Sequence, residues 1–142
     1  MAITQALCTS FKEELLNKEH DMNTDTFKIA LFTSSATLNA TTTVYDSTDN
    51  EITGTGYSAG GKALASGAIA VSGTTAYVDF ADPAWTSASF TCRGALIYNT
   101  SASLGTEAVA VLDFGGDFTV AAGTFTIALP VANASNALIR LA

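Results

Sequence analysis

His20 is the sole histidine of this chain. Imidazole is the commonest general base near neutral pH, so histidine-dependent catalysis has one position to rest on. The two cysteines, Cys8 and Cys92, make no disulfide framework. Together with His20 they cannot complete a four-ligand zinc site, and free buried thiols are their expected state. Basic residues number six: Lys12, Lys18, Lys28, Lys62, Arg93 and Arg140. They are scattered, whereas a phosphate-binding face needs them clustered, so direct nucleic-acid binding is not expected. No apolar run reaches the roughly 18 residues of a membrane span. The first 20 residues carry Lys12, Glu13, Glu14, Lys18 and Glu19 and lack the apolar segment of a secretory signal, so cytoplasmic synthesis is expected.

What the chain does hold is apolar and hydroxyl-rich. Its 142 residues suit one domain, 1–142. A chain of this size buries about 68–70% of its unfolded surface and needs no metal or disulfide staple. Charged residues make up 13%, against about 25% in an average domain. The polar surface therefore comes from 21 Thr and 12 Ser. Neutral hydroxyls are cheaper to desolvate than ions, which suits a surface covered by neighbours. Thr is equally at home in an ordinary strand. The net charge is −7.

Residues 4–19 read as a helix with Thr4 as N-cap. Ile3, Leu7, Phe11 and Leu15 recur every four residues, with Leu16 beside them, and form one apolar stripe. His20 is expected at the exposed end of that helix. From Asp25 the period changes to two. Residues 26–33 read as a strand with Phe27, Ile29 and Leu31 on one face. Residues 34–61 are a long, weakly patterned excursion, with short strands expected near Val44 and Tyr57. Further strands are expected at 62–71, 74–81, 88–92, 94–99, 106–114, 117–121, 124–129 and 136–141. Turns are signalled by Asp82-Pro83 and Gly115-Gly116, and Pro130 is a stop. The fold class is mainly β: a sandwich or jelly roll of about eight or nine short strands over 25–142, behind one N-terminal helix.

Several strings match motifs without their context. Gly56-Tyr57-Ser58-Ala59-Gly60 fits the nucleophile elbow G-x-S-x-G. Ser58 would need a base, yet His20 precedes it, whereas the hydrolase order is serine, acid, histidine. No helix pattern follows. Gly54 to Ala59 fits a loose dinucleotide fingerprint, which functions only in a βαβ unit. A loop needing positive φ explains both. Asp113-Phe114-Gly115 reads as a hairpin turn. Asp46, Asp49 and Glu51, and again Asp113 and Asp117, are loop carboxylates without the EF-hand spacing for Ca²⁺. No catalytic, cofactor or metal residue is assigned. Trp85, Phe90 and Tyr98 are read as core or half-buried aromatics.

The segments MAITQALCTSFKEELL, DTFKIALFTSSATL, EITGTGYSAGGKAL, RGALIYN and VAVLDFGGDF resemble, in order and over nearly the whole chain, small structural proteins of tailed-bacteriophage virions. That resemblance implies a non-enzymatic, homo-oligomeric virion component (a dimer or trimer) whose partners are other virion proteins, with no nucleic acid and no membrane. Small size, independent folding, low charge and no fibrous repeat favour a capsid decoration, or cement, protein on the major capsid protein. A tail, neck or fibre component is the alternative. Leu7, Phe11, Leu15, Tyr45 and Tyr57 are the candidate contact residues. Outside that family, a carbohydrate-binding sandwich would need an exposed aromatic row, for which Trp85, Tyr57 and Tyr98 are the available rings.

Overall fold

A computed structural model describes residues 2–65, 67–130, 133 and 135–142. The N-terminal segment is recruited by strands before it can become helical. Ile3 bridges Leu38, and Thr4 donates its backbone N–H to the Leu38 carbonyl. β1 (Ala6–Leu7) pairs with Val111 and Ala110. Helix α1 is therefore only Thr9–Leu16, with Cys8 and not Thr4 at its N-cap. This corrects the longer helix expected from the apolar stripe. An eight-residue helix has marginal stability of its own, so tertiary pairing decides where it starts.

β2 (Phe27–Phe32) is buried almost throughout, with Phe27, Ile29, Ala30, Leu31 and Phe32 inaccessible. Two layers cover it. On the Phe27 side the Phe80 ring lies 5.7 Å away and His20 6.5 Å away. On the Phe32 side the excursion over 34–61 supplies Tyr45, 6.5 Å from Phe32. The excursion is thus a layer of the fold, tied by isolated bridges at Leu38, Val44, Glu51 and Thr55.

β3 (Lys62–Ala63) and β4 (Ala68–Ser72) replace the single strand expected over 62–71, and Ser66 lies outside the described residues. β5 is Thr75–Asp79. β6 (Ala84–Asn99) and β7 (Glu107–Thr126) form one long hairpin. The shorter strands expected there, 88–92 and 94–99 in β6 and 106–114, 117–121 and 124–129 in β7, are continuous because bulges bend the ladder without ending it. Gly115-Gly116 is no hairpin turn. Cys92 pairs with Phe118 and Gly94 with Asp113, so residues 114–117 face Arg93 alone as a wide bulge. The true turn is 100–106. Asn99 Oδ1 accepts the Ser101 and Ala102 N–H groups, and the buried Glu107 carboxylate accepts those of Leu104 and Thr106. β8 is Ile139–Leu141.

The sheets are antiparallel, ordered β1-β7-β6-β2-β3 and β4-β5-β8. The fold is a mainly β sandwich, with one short N-terminal helix and eight strands among the described residues, as the period-two pattern predicted. β6 and β7 are far longer than the short strands expected.

Candidate docking surfaces

The excursion is held by a carboxylate clasp. Glu51 accepts the Tyr45 hydroxyl at 2.7 Å, the Tyr57 hydroxyl at 2.6 Å and the Gly60 N–H at 2.7 Å. Tyr57 Oη in turn accepts the Leu31 N–H at 2.9 Å, and Tyr98 donates to the Gly60 carbonyl at 2.7 Å. The Tyr45 and Tyr98 rings stack at 4.4 Å. Burial, then the hydrogen bond and charge of Glu51, hold the Tyr45 phenol above its usual range. Burial first and Glu51 second do the same for Tyr57. Burial, with the Glu51 charge, pushes Tyr98 up to about 12. These phenols keep their protons and act as donors, Tyr45 and Tyr57 to the carboxylate and Tyr98 to the Gly60 carbonyl. Tyr45 and Tyr57 are half-buried against their own chain.

The helical candidates separate. Phe11 is fully buried and touches the His20 ring at 4.8 Å. It belongs to the core and offers no surface to a neighbour, which corrects its assignment as a contact residue. Leu7 is half-buried in β1, and Leu15 is half-buried at a cleft of about 160 Å³. Leu16 is 90% exposed.

That cleft opens between α1 and the inner face of the three-stranded sheet. Phe11, Leu15 and Met22 line one side and Val78, Ile139 and Leu141 the other. In register, Ile69 faces Val78 and Val71 faces Ala76, while Ala76 faces Leu141 and Val78 faces Ile139. All six side chains share the inner face, since alternation by two keeps residues on one side. The helix covers only part of it: Val78 and Ile139 are buried, but Ile69, Val71 and Leu141 are 46%, 69% and 56% exposed. Sequence patterning missed this overhang. Its signal is the absence of any charged residue from 63 to 78.

A second apolar region lies on β7. Phe114 touches Phe118 and Phe125, and Trp85, Phe90 and Tyr57 continue the cluster beneath. A groove of about 350 Å³ beside it is lined by Leu7, Leu112, Phe114, Ile127, Leu129 and Leu138. Trp85 and Tyr98 are buried and Tyr57 half-buried, so these three rings form no exposed aromatic row.

The chemistry-bearing residues lie apart from these surfaces. His20 is buried and not exposed, because Asn99 and Glu14 hold its two ring nitrogens. Burial, with Glu14 nearby, pushes the Cys8 thiol up to about 11, and burial with Asp117 pushes Cys92 up to about 12. Thiols held neutral in this way are poor nucleophiles. Ser58 is exposed in the loop whose glycines the close approach of other strands explains. A Cβ on Gly61 would lie 1.8 Å from the Ile29 carbonyl oxygen. No helix among the described residues is long and apolar enough to cross a membrane.

Comparison with protein-family models, with curated proteins and with solved structures yields no match.

Proposed function

We propose that this chain is a non-enzymatic structural protein of a tailed-bacteriophage virion, a decoration protein that caps the outer capsid lattice as an oligomer. The observation that carries the reading is the uncharged overhang of the three-stranded sheet, where Ile69, Val71 and Leu141 stay uncovered in a chain of net charge −7. Apolar residues that share a sheet's inner face and stay open to water mark a protein contact. The ordered resemblance of its segments to phage virion proteins supplies the setting. The major capsid protein is the partner this reading assigns. Nucleic acid and membrane play no part.

Decoration works through copy number. A contact of modest area holds tightly when one oligomer engages several lattice subunits, because each later contact forms at high effective concentration. The sandwich supplies a rigid body, and the Glu51 clasp keeps the long excursion from fraying away from it.

Electron microscopy of the intact particle tests the proposal. A regular array of this density over the shell is the expected result. Density confined to the tail axis would replace decoration with a tail, neck or fibre role, and absence from the particle would end the virion reading. A glycan array tests the carbohydrate alternative, and no binding is expected.

A further inference from the structure

Sheet edges are normally blunted by shortness, charge, proline or bulges. Among the described residues the edge strands are β1, β3, β4 and β8, and all but β4 follow that rule. β1 and β3 have two residues each, and β3 contains Lys62. β8 has three, with Arg140 at its centre. The far part of β7 is broken by the 114–117 bulge and again at Ala122, whose φ is +48°. β4 has none of these devices. Its five residues, Ala-Ile-Ala-Val-Ser, are uncharged and all exposed. Among the described residues it is the outermost strand of its sheet, and no other segment forms a backbone bond to its outer side.

The pairing of β4 fixes which groups point outward. Ser72 and Thr75 close the two-residue turn Gly73-Thr74, where Gly73 has φ +61°. The closing pair of such a turn is mutually hydrogen-bonded, and bonded and non-bonded pairs alternate along the ladder. Ser72, Ala70 and Ala68 therefore turn their N–H and C=O groups toward β5. Ile69 and Val71 turn theirs away from the sheet.

We propose that β4 is a homodimerisation edge, pairing antiparallel with β4 of a second copy about a two-fold axis at Ala70. In that register each Ile69 exchanges two hydrogen bonds with the other copy's Val71, and the outward groups of both residues are used. The two Ala70 residues meet as a non-bonded pair, where Cα atoms approach to about 4.5 Å and a small side chain fits. The sequence is self-complementary in this register: Ile69 and Val71 of both copies fall on one face, while Ala68, Ala70 and Ser72 fall on the other. Two molecules of net charge −7 repel over most of their surface, and 63–78 is a segment where neither copy brings a charge to the contact, so a second copy is met there without local repulsion. The joined sheet runs β8-β5-β4 into its two-fold mate and makes the overhanging apolar row continuous. A contact limited to one strand edge belongs to the small, transient class of interfaces, so the pair forms with rising concentration and a lattice would hold it. This dimer goes beyond the virion reading, and its loss in solution would leave particle mapping unaffected.

Sedimentation of the full chain over a wide concentration range tests it. The mass should rise from one copy to two and stop there. Val71→Pro removes one outward N–H without touching the intrachain ladder, and should stay monomeric with an unchanged circular dichroism spectrum. Ile69→Lys should do the same. Leu16→Lys, on the exposed face of α1, should dimerise like the parent. Ala70→Cys should yield a covalent dimer on air oxidation, and Ser72→Cys, which would face Ala68 of the other copy, should not. A parent that stays monomeric throughout, a Val71→Pro protein that dimerises normally, a larger assembly, or cross-linking by Ser72→Cys in place of Ala70→Cys would each overturn the proposal.

Discussion

Asn99 Nδ2 donates to His20 Nδ1 at 2.9 Å, joining the segment after α1 to the start of the β6–β7 turn. The orientation of the amide follows from its other bonds. Asn99 Oδ1 already accepts the Ser101 and Ala102 N–H groups, and Nδ2 also donates to Asp25 at 2.7 Å. His20 Nδ1 must then accept, which places the ring proton on Nε2, facing Glu14. One fully buried amide thus fixes a turn, a loop and a tautomer. Replacing Asn99 by Leu should cost about 1–3 kcal/mol, since it leaves buried polar groups without partners. Urea unfolding measures that loss, and a change within experimental error would mean that the network is not stabilising.

The Glu51 clasp gives a prediction at alkaline pH. Tyr45, Tyr57 and Tyr98 all have folded values above the usual 10. A raised folded pKa contributes stability that is fully present below the unfolded value and is lost as pH rises through the folded one. The stability these three phenols contribute should therefore be lost as pH climbs above about 10. Phenolate absorbance should appear later for these three residues than for free tyrosine. Glu51→Gln removes the charge but leaves the burial, so Tyr45 and Tyr57 should titrate earlier than in the parent, yet still late. Titration identical to the parent would show that the carboxylate has no part in the shift.

Two glycines with similar backbones should respond differently to alanine. Gly61 has φ +74° and Gly115 φ +80°. A Cβ on Gly61 would collide with the Ile29 carbonyl, while one on Gly115 meets nothing within 4 Å. Gly115→Ala should cost only the left-handed penalty of about 1–2 kcal/mol. Gly61→Ala adds displacement of β2 and should cost about 3 kcal/mol or more. Equal losses in a denaturant titration would show that the close approach is easily relieved.

The thiols should be silent in the native protein. Cys8 and Cys92 are both fully buried, and burial raises both. A thiol-specific chromogenic disulfide reagent should react with neither at neutral pH, and with both once urea unfolds the chain. Rapid native reaction at either position would contradict the burial.

Legibility in the sequence followed the range of the interactions. β2 and β5 were visible because alternating apolar residues report directly on a strand packed along its length. The span of α1 was not, because Ile3 and Leu7 fit a helical stripe and a strand pairing equally well, and the choice depends on Leu38 and on Val111 and Ala110. Gly115-Gly116 carried a turn signal that the chain used for a bulge, since positive φ serves both. His20 looked like an exposed helix end until Asn99, far away in sequence, supplied its partner. Among the candidate contact residues, Phe11 was misread because an apolar stripe does not say whether its neighbour is the same chain or another. Glu51 stood out only as one loop carboxylate among several, and its role depends on two tyrosines and a glycine N–H that share no motif with it.

The bulge at 114–117 has a mechanical consequence. At about 3.3 Å per residue, the 16 residues of β6 span roughly 50 Å. A pull along it loads its bonds to β7 in shear, so many must yield together. At the bulge the ladder is interrupted, so the stretches on either side of it carry that load through separate sets of bonds. The hairpin is thus a beam built in sections, and the loss of one section's bonds leaves those on the other side of Arg93 in place.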